Sequence, residues 1–600
     1  MAQTITSTKD IEFLLHDVFN IADLSKTEKF AEFNKKTVNM IVSEARNLAV
    51  KEILPTNIDG DNGCAFEKGK VSTPESFKRA YKLYCEGEWL ATADPVEYGG
   101  QDMPLMLTAA TQELFTGANM AFLMYPGLTH GAAKMILELG TEAQKKIYVK
   151  KMFAGLWTGT MLLTEPDAGT DVGALTATAV KNPDNTYSIT GNKIFISGGE
   201  HDLGENIIHT VLARVEGAPS GTPGISLFIV PKIKVNPDGS LGESNNVVCT
   251  GIEEKMGLHG NCTCSLSLDN SVGTLLGEEN KGLKGMFLMM NEARFGCGVQ
   301  AFGQAATSYA NAVSYANERI QSPDILAFGQ SDAPSQKIIN HPDVRRQLLF
   351  MKSHVEGLRT LIYYVADCFQ KAELDSVSDE EKEICRGLLE FLIPIVKAYT
   401  SDKAFEICTQ GVQVFGGYGY ISEYPQEQLL RDCKITSIYE GTNGIQAMDL
   451  LGRKLGMKKG KPFMDLLVEM GKTVTAARSV KALEAMADAV DAAKDKLGET
   501  AFILGGVAMS DKILDAFGSA TPFLEVAGDV VLAWLHLMRA NVASTVLGNG
   551  VKEKDRSFYQ GQISTAEYYM ESHLPVALGK MEAVKKTTAS IMATPAEAFV

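Results

Sequence analysis

Residues 436–446 read Thr-Ser-Ile-Tyr-Glu-Gly-Thr-Asn-Gly-Ile-Gln. A single carboxylate, Glu440, stands on a glycine-containing turn just ahead of a helical pattern. The backbone would hold such a group at a fixed point, which suits a general base, although a Glu in a turn is more often a solvated surface residue. Two distant stretches fit the same chemistry. Residues 162–171 read Leu-Leu-Thr-Glu-Pro-Asp-Ala-Gly-Thr-Asp, and residues 413–420 read Gln-Val-Phe-Gly-Gly-Tyr-Gly-Tyr. In the first, the backbone amides around Leu163 and the Thr164 hydroxyl suit the edge of a planar heterocycle. Pro166 and Gly169 set a loop, and Thr170 and Asp171 offer a hydroxyl and a carboxylate to a ligand. Taken alone, a plain β-turn explains these residues equally well.

A nucleotide cofactor, if present, binds in an unusual way. There is no Gly-x-x-x-x-Gly-Lys-Ser/Thr loop, and neither Gly296-Cys297-Gly298 nor Gly417-Tyr418-Gly419 lies between a strand and a helix.

The 600 residues are too many for one core, and two to four domains are expected. The chain is 45% hydrophobic and 22% charged, as in ordinary globular proteins. Its net charge of -16 argues against nucleic acid, which needs clustered Lys and Arg, and against anionic membrane surfaces. Ten scattered cysteines show no zinc-type spacing and read as reduced, buried small side chains. Cys262-Thr263-Cys264 places two thiols on one face of a strand, a weak metal signal, and no metal is expected. No run of about 20 uninterrupted apolar residues appears, so no membrane span is expected. The N-terminus lacks a basic region followed by an apolar run, and the expected location is cytoplasmic.

Periodicity divides the chain into four parts. Residues 1–160 look helical: Ile11, Leu14, Leu15, Val18 and Phe19 recur behind the capping candidates Ser7 and Thr8, and 110–125 and 132–153 continue the pattern. Residues 161–280 carry closely spaced turn signals, with strand patterns at 187–189, 193–197, 210–214, 225–230 and 264–268, and read as an antiparallel β domain. Residues 281–455 are helical again. After a hinge, Gly456-Met457-Lys458-Lys459-Gly460-Lys461-Pro462, residues 463–600 read as several further long helices.

These motifs together resemble the flavin-dependent acyl-CoA dehydrogenase family. Thr-Glu-Pro-Asp-Ala-Gly-Thr-Asp resembles its Thr-Glu-Pro-x-Ala-Gly-Ser-Asp signature. Residues 413–420, Tyr424-Pro425, Leu430-Arg431-Asp432 and Ile438-Tyr439-Glu440-Gly441-Thr442 resemble its second signature. Lys193-Ile194-Phe195-Ile196-Ser197 is similar to the family's strand beside the flavin, and Lys255-Met256-Gly257-Leu258 to a further β-domain motif. The resemblance covers about 80–455 and the domain order. The N-terminal extension, residues 460–600, and the segments 205–209 and 341–346 are similar to the long bacterial branch that includes 3-methylmercaptopropionyl-CoA dehydrogenases. The implied fold is mostly α with a central β domain. It comprises a helical N-domain, a β-barrel or sandwich middle domain, a helical bundle C-domain carrying the base, and an extra C-terminal helical domain.

The resemblance also implies roles. Glu440 removes the α-proton of an acyl-CoA thioester, and hydride from the β-carbon passes to N5 of FAD. Met161, Leu163, Thr164, Phe195 and Ser197 meet the flavin. Arg319, on a helical 315–320 stretch, pairs with the pyrophosphate. Gln413, Gly416 and Gly417 meet the FAD of a neighbouring subunit, and Thr442 and Asn443 offer donors at a helix N-terminus. Thr170, Asn291, Arg294, Tyr439 and Gly441 face the substrate. Asn291 stands where the family has an acidic residue, Thr170 replaces a Ser, and 320–340 reads as an inserted loop after Arg319. Glu165 and Asp171 are expected to cap turns, His201 and His259 to be satisfied polar residues, and Met286, Met289 and Met290 to be core.

The expected reaction is α,β-desaturation of an acyl-CoA to the trans-2-enoyl-CoA in fatty acid β-oxidation. The acyl chain would be short or medium, or thioether-bearing as in 3-methylthiopropionyl-CoA. An electron-transfer flavoprotein would be the electron acceptor, and the extra domain implies a homodimer. An acyl-CoA oxidase and a catalytically silent FAD-binding relative stay open as alternatives at this point.

Overall fold

The computed structural model describes residues 4–327 and 329–600, the side chains of 287–289 excepted. The chain divides into two compact units. One gathers residues up to Val42, Leu105–Glu113 and Arg294–Val600; the other holds Ser43–Pro104 and Leu114–Ala293.

The second unit is built on a seven-stranded sheet. Helix α1 (Met120–Leu139) starts where the Asn119 side chain accepts from the Phe122 amide, and α2 (Glu142–Phe153) starts at a Thr141/Gln144 capping box. The strands are β1 (Trp157–Leu162), β2 (Thr178–Lys181), β3 (Tyr187–Ser197), β4 (Asn206–Val215), β5 (Ile225–Pro231), β6 (Val247–Ile252) and β7 (Thr263–Leu275). Strands β7, β3, β2, β4 and β5 pair in turn and β5 returns to β7, closing a five-stranded ring; β6 adds to β7 and β1 to β4. Closure leaves the ring with no free edge.

The sheet is not wholly antiparallel, as its turn signals had suggested: β1 and β2 both run parallel to β4. The chain reverses once at the β2–β3 turn and again between β3 and β4, so β4 lies on the far side of β2 pointing the same way. The two patterns at 187–189 and 193–197 are one strand. In β3, Ile196 faces Cys264 and Lys193 faces Leu266, so Ile194 and Phe195 stand against Ser265 alone, which is a β-bulge.

The first unit is helical. Its elements include α3 (Gly282–Glu318) from Arg294 onward, α4 (Pro342–Lys371), α5 (Asp379–Pro394), α6 (Thr400–Phe415), α7 (Gln426–Lys434) and α8 (Asn443–Asp449). The C-terminal part adds α9 (Lys461–Arg478), α10 (Glu484–Ala508), α11 (Ala520–Gly548), α12 (Glu553–Ser572) and α13 (Leu574–Lys585). The hinge before α9 turns through three left-handed residues, Lys458 (φ 50°), Lys459 (φ 60°) and Gly460 (φ 82°). At the N-terminus, Ser7 caps Thr8–Glu12, but the next turn, Phe13–Val18, is π-helical, so Phe13, Leu14 and Leu15 are all buried.

Helix α11 is long and apolar enough to cross a membrane by composition. Here it is the core helix of its unit. Its polar groups are paired within the protein: Asp529 accepts from the Tyr399 hydroxyl (2.6 Å), His536 meets the Ser353 carbonyl (2.8 Å), and Trp534 donates to Thr473 (2.8 Å).

Arg539 of α11 and Arg359 of α4 share the buried carboxylate of Asp10. Arg359 also reaches Glu113 (3.1 Å) and Thr6 (2.8 Å). Burial pushes the Asp10 carboxyl up, but the Arg539 and Arg359 charges outweigh it and hold the group at about 2. Asp10→Ala removes the close carboxylate of buried Arg539 and one of the two of Arg359, and should lower stability by about 3–5 kcal/mol. The Asp10 contribution is whole above the ordinary aspartate value of 3.8 and disappears as pH falls through about 2. Urea midpoints of wild type and variant should therefore converge in acid. A constant gap down to the lowest pH would contradict this.

Candidate active site

The carboxylate turn is a strained piece of backbone. Glu440 has φ +57° and Gly441 φ +81°. A left-handed non-glycine residue costs about 1–2 kcal/mol, so neighbours must hold it. Gln446, fully buried, does so by donating to the Glu440 carbonyl (3.3 Å) and the Gly441 carbonyl (3.4 Å). The Tyr439 hydroxyl donates to Gln300 (2.6 Å) on α3. Thr442 caps α8 by accepting from the Ile445 amide (3.4 Å).

The Glu440 side chain is half-buried, and no described residue hydrogen-bonds its carboxylate. Burial pushes its carboxyl above the usual range, opposed by the charges of Lys397 and then Arg294. Arg294, 4% exposed, pairs with Asp449 (2.9 Å), while its Nε has no partner. A poorly solvated carboxylate flanked by cations is equipped to take a proton from carbon.

Asn443 differs from the sequence expectation. Its side chain points into the bundle. The amide nitrogen donates to Ala398 O (3.1 Å), Ser401 Oγ (2.9 Å) and Asp402 (2.8 Å), and its oxygen accepts from Lys397 (2.9 Å). The side chain is committed to structure, and only the backbone of this turn is left for a ligand.

A second cluster in the same unit brings together Arg319, Gln413, Gly416 and Gly417. They line an open pocket of about 510 Å³ with Tyr315 and Tyr418. Arg319 follows α3 rather than lying on it, anchored by its amide to the Tyr315 carbonyl (2.8 Å), and its guanidinium covers the Tyr418 ring at 5.6 Å. Gly416 has φ +61°, ψ −138°, a region nearly restricted to glycine, and nothing lies within 4 Å of where a Cβ would stand. After Arg319, Ile320–Pro323 pairs with Ser335–Lys337, and the chain returns to Arg319 through the Ile338 amide (2.9 Å).

The β unit gathers another group of expected residues. Met161, Leu163 and Thr164 lie half-buried at the end of β1, and the Thr164 carbonyl accepts from Ile194 (3.0 Å) across the bulge. Phe195 sits on that bulge with φ +58° and is 60% exposed. Strained backbone that holds an aromatic ring into solvent is the arrangement expected of a platform for a flat ligand. Ser197, half-buried, pairs with Thr263, and Thr170 is exposed on the loop after β1. Asn291 is half-buried on α3. Glu165 is structural: it takes the Thr176 amide (2.6 Å), the Ala177 amide (3.1 Å) and buried Lys193 (2.8 Å). His259 meets the carbonyls of Asp61 and Lys255. Met286 and Met290 are half-buried, and the Met289 side chain lies outside the described residues.

These features fit FAD: a glycine cradle and a guanidinium for phosphate oxygens, and an exposed aromatic with adjacent hydroxyls for the ring system. Sequence reading missed Lys397, Asp449 and Gln446. A signal existed for Lys397, the lone cation after the apolar run Phe391-Leu392-Ile393-Pro394-Ile395-Val396.

Models for the acyl-CoA dehydrogenase N-terminal, middle and C-terminal domains match residues 35–156, 160–271 and 280–455, and an acetyl-CoA dehydrogenase C-terminal-like model matches 466–595. The chain is 36% identical to 3-methylmercaptopropionyl-CoA dehydrogenase of Ruegeria pomeroyi over 94% of its own length and 95% of that protein. It is 38% identical to a butyryl-CoA dehydrogenase of Syntrophomonas wolfei over 91% of each. The fold is that of an acyl-CoA dehydrogenase from Bacillus anthracis solved with FAD (TM-score 0.74, 22% identity, 95% of this chain and 90% of that one). The chain belongs to the acyl-CoA dehydrogenase family.

Arg319→Met should reduce FAD retention about tenfold or more, the usual scale for a hydrogen bond to a charged group. Flavin absorbance per polypeptide after gel filtration measures this; an unchanged ratio would contradict the pocket's role.

Proposed function

We propose that this protein is an FAD-dependent acyl-CoA dehydrogenase that desaturates an acyl-CoA between Cα and Cβ, with Glu440 as the base. The observation that carries the reading is the Glu440 carboxylate itself, half-buried, without a hydrogen-bond donor, and fixed on a left-handed turn beside Lys397 and Arg294.

An α-proton of a thioester is far too weakly acidic for a free carboxylate. Two effects narrow the gap. Removing water from Glu440 raises its basicity. The Glu440 backbone N–H, held by the same strained turn, donates to the thioester carbonyl and stabilises charge developing on its oxygen. Glu440 then takes the proton at a carboxylate oxygen, while Gln446 and Tyr439 hold the turn in place. Bound FAD supplies the acceptor for the hydride leaving Cβ. Arg319, Gln413, Gly416 and Gly417 share one pocket, so they serve one cofactor, which the family resemblance assigns to a neighbouring subunit.

Similarity to butyryl- and 3-methylmercaptopropionyl-CoA dehydrogenases supports a short or medium acyl chain, with a thioether tolerated. We infer a role in β-oxidation in the cytoplasm, electron transfer to an electron-transfer flavoprotein, and a homodimer. The dimer rests on the resemblance alone: the additional helices after residue 460 would cover a surface that shorter relatives use for tetramer formation. Light scattering should give twice the chain mass; a tetramer would count against this.

Glu440→Gln should keep its flavin and lose turnover by about 10²–10⁴-fold or more in a dye-linked assay. An undiminished rate in a flavin-loaded variant would refute the assignment.

A further inference from the structure

Lys397 is a lysine with no solvent exposure. It lies on a π-turn, Ile395–Tyr399, between α5 and α6. The turn starts directly after Pro394, and the Thr400 amide bonds back to the Ile395 carbonyl, one residue further than an α-helix allows. Single π-turns inside helices recur at functional sites because the widened ladder re-aims side chains.

The Lys397 ammonium donates to Asn443 Oδ1 (2.9 Å), three residues beyond Glu440. Asn443 in turn is pinned by Ala398, Ser401 and Asp402, so the base-bearing turn is tied at two points to the π-turn and at two to the first turn of α6. A buried ammonium ordinarily has a carboxylate partner. Among the described residues no carboxylate lies within salt-bridge distance of Lys397. The other charged or titratable groups around Glu440 are accounted for. Arg294 pairs with Asp449, which also holds Arg453 (2.7 Å). Asp402 accepts from Asn443. Burial pushes the Cys297 thiol up to about 12 and raises Tyr439 well above its usual value, so both stay neutral. Among the described residues Glu440, Asp402 and Lys397 have no ion-pair partner; burial pulls the Lys397 ammonium down, and the Glu440 and Asp402 charges oppose that, while Lys397 in turn opposes the upward push of burial on Glu440.

We propose that Lys397 is a positioning residue for the base: its fixed charge keeps Glu440 ionised in a site that excludes water, and its bond to Asn443 locks that charge to the turn carrying Glu440. The inference rests on Glu440 being the base. The sign follows. Without the cation the carboxylate protonates more readily, so the acid limb of kcat/KM moves to higher pH. Above that limb the carboxylate is ionised with or without the cation, so the effect is a displacement of the limb relative to each variant's own plateau.

The test uses Lys397→Gln, which removes the charge and keeps a donor for Asn443, and Lys397→Arg, which keeps the charge. Flavin content and thermal melting establish that each variant is folded and loaded. The acid limb of Lys397→Gln, read relative to its own plateau, should rise by about one pH unit or more, while that of Lys397→Arg should coincide with wild type. A folded Lys397→Gln with an unmoved limb, or with a loss equal at every pH, overturns the proposal. If only Lys397→Arg folds, a displaced limb in that variant overturns it. Glu440→Gln separates the two readings: full activity there removes the base assignment and Lys397's role with it. An inactive Glu440→Gln beside an unmoved Lys397→Gln limb leaves the base and refutes only the lysine.

Discussion

A carboxylate that takes a proton from carbon must be poorly solvated and still ionised, and these requirements oppose each other. Desolvation raises basicity by the same amount that it empties the ionised state. In this chain the conflict is met by geometry. The Glu440 carboxylate receives no hydrogen bond from a described residue, which preserves its reactivity, and cationic charge stands nearby on Lys397 and Arg294, which preserves its charge. Both cations need rigid supports of their own. Arg294 has Asp449, and Lys397 has Asn443.

The C-terminal helices add to that support within the same unit. Tyr399, the last residue of the π-turn, donates to Asp529 of α11 (2.6 Å) and lies flat where Gly528 has no side chain; a Cβ there would stand 2.3 Å from the ring. Lys403, one turn further along α6, reaches Glu525 (3.5 Å). Helix α11 is in turn held by the buried Asp10 that joins Arg539 to Arg359. A chain of buried polar contacts therefore runs from the N-terminal segment through α11 to the element that carries Lys397. Such contacts specify a unique arrangement more than they add net stability.

Much of this was legible in the sequence, and the limits have physical causes. The helical, β and helical stretches follow from periodicity, and the family motifs mark Glu440, Phe195 and Arg319. The strand directions were not legible, because β2 and β4 become parallel only when two reversals are counted together. Trp157–Leu162 was missed because it follows α2 with little of the alternation that marks a strand. That the Asn443 side chain is taken up by structure was not legible, since its partners lie about 40 residues earlier on another helix. The left-handed backbone of Glu440 and Phe195 is likewise invisible in composition, as neither residue type favours it. Both positions, where local preference and observed conformation disagree, belong to the site on which the proposed function rests.

The central claim is that this site removes a proton and a hydride from adjacent carbons of an acyl-CoA. The direct measurement is the anaerobic visible spectrum of the purified flavoprotein, before and after adding butyryl-, octanoyl- and 3-methylthiopropionyl-CoA. The account predicts that the oxidised flavin band bleaches with at least one of them and yields the enoyl-CoA in equal amount. A band that none of them bleaches, or protein that retains no flavin after addition of FAD, would contradict it.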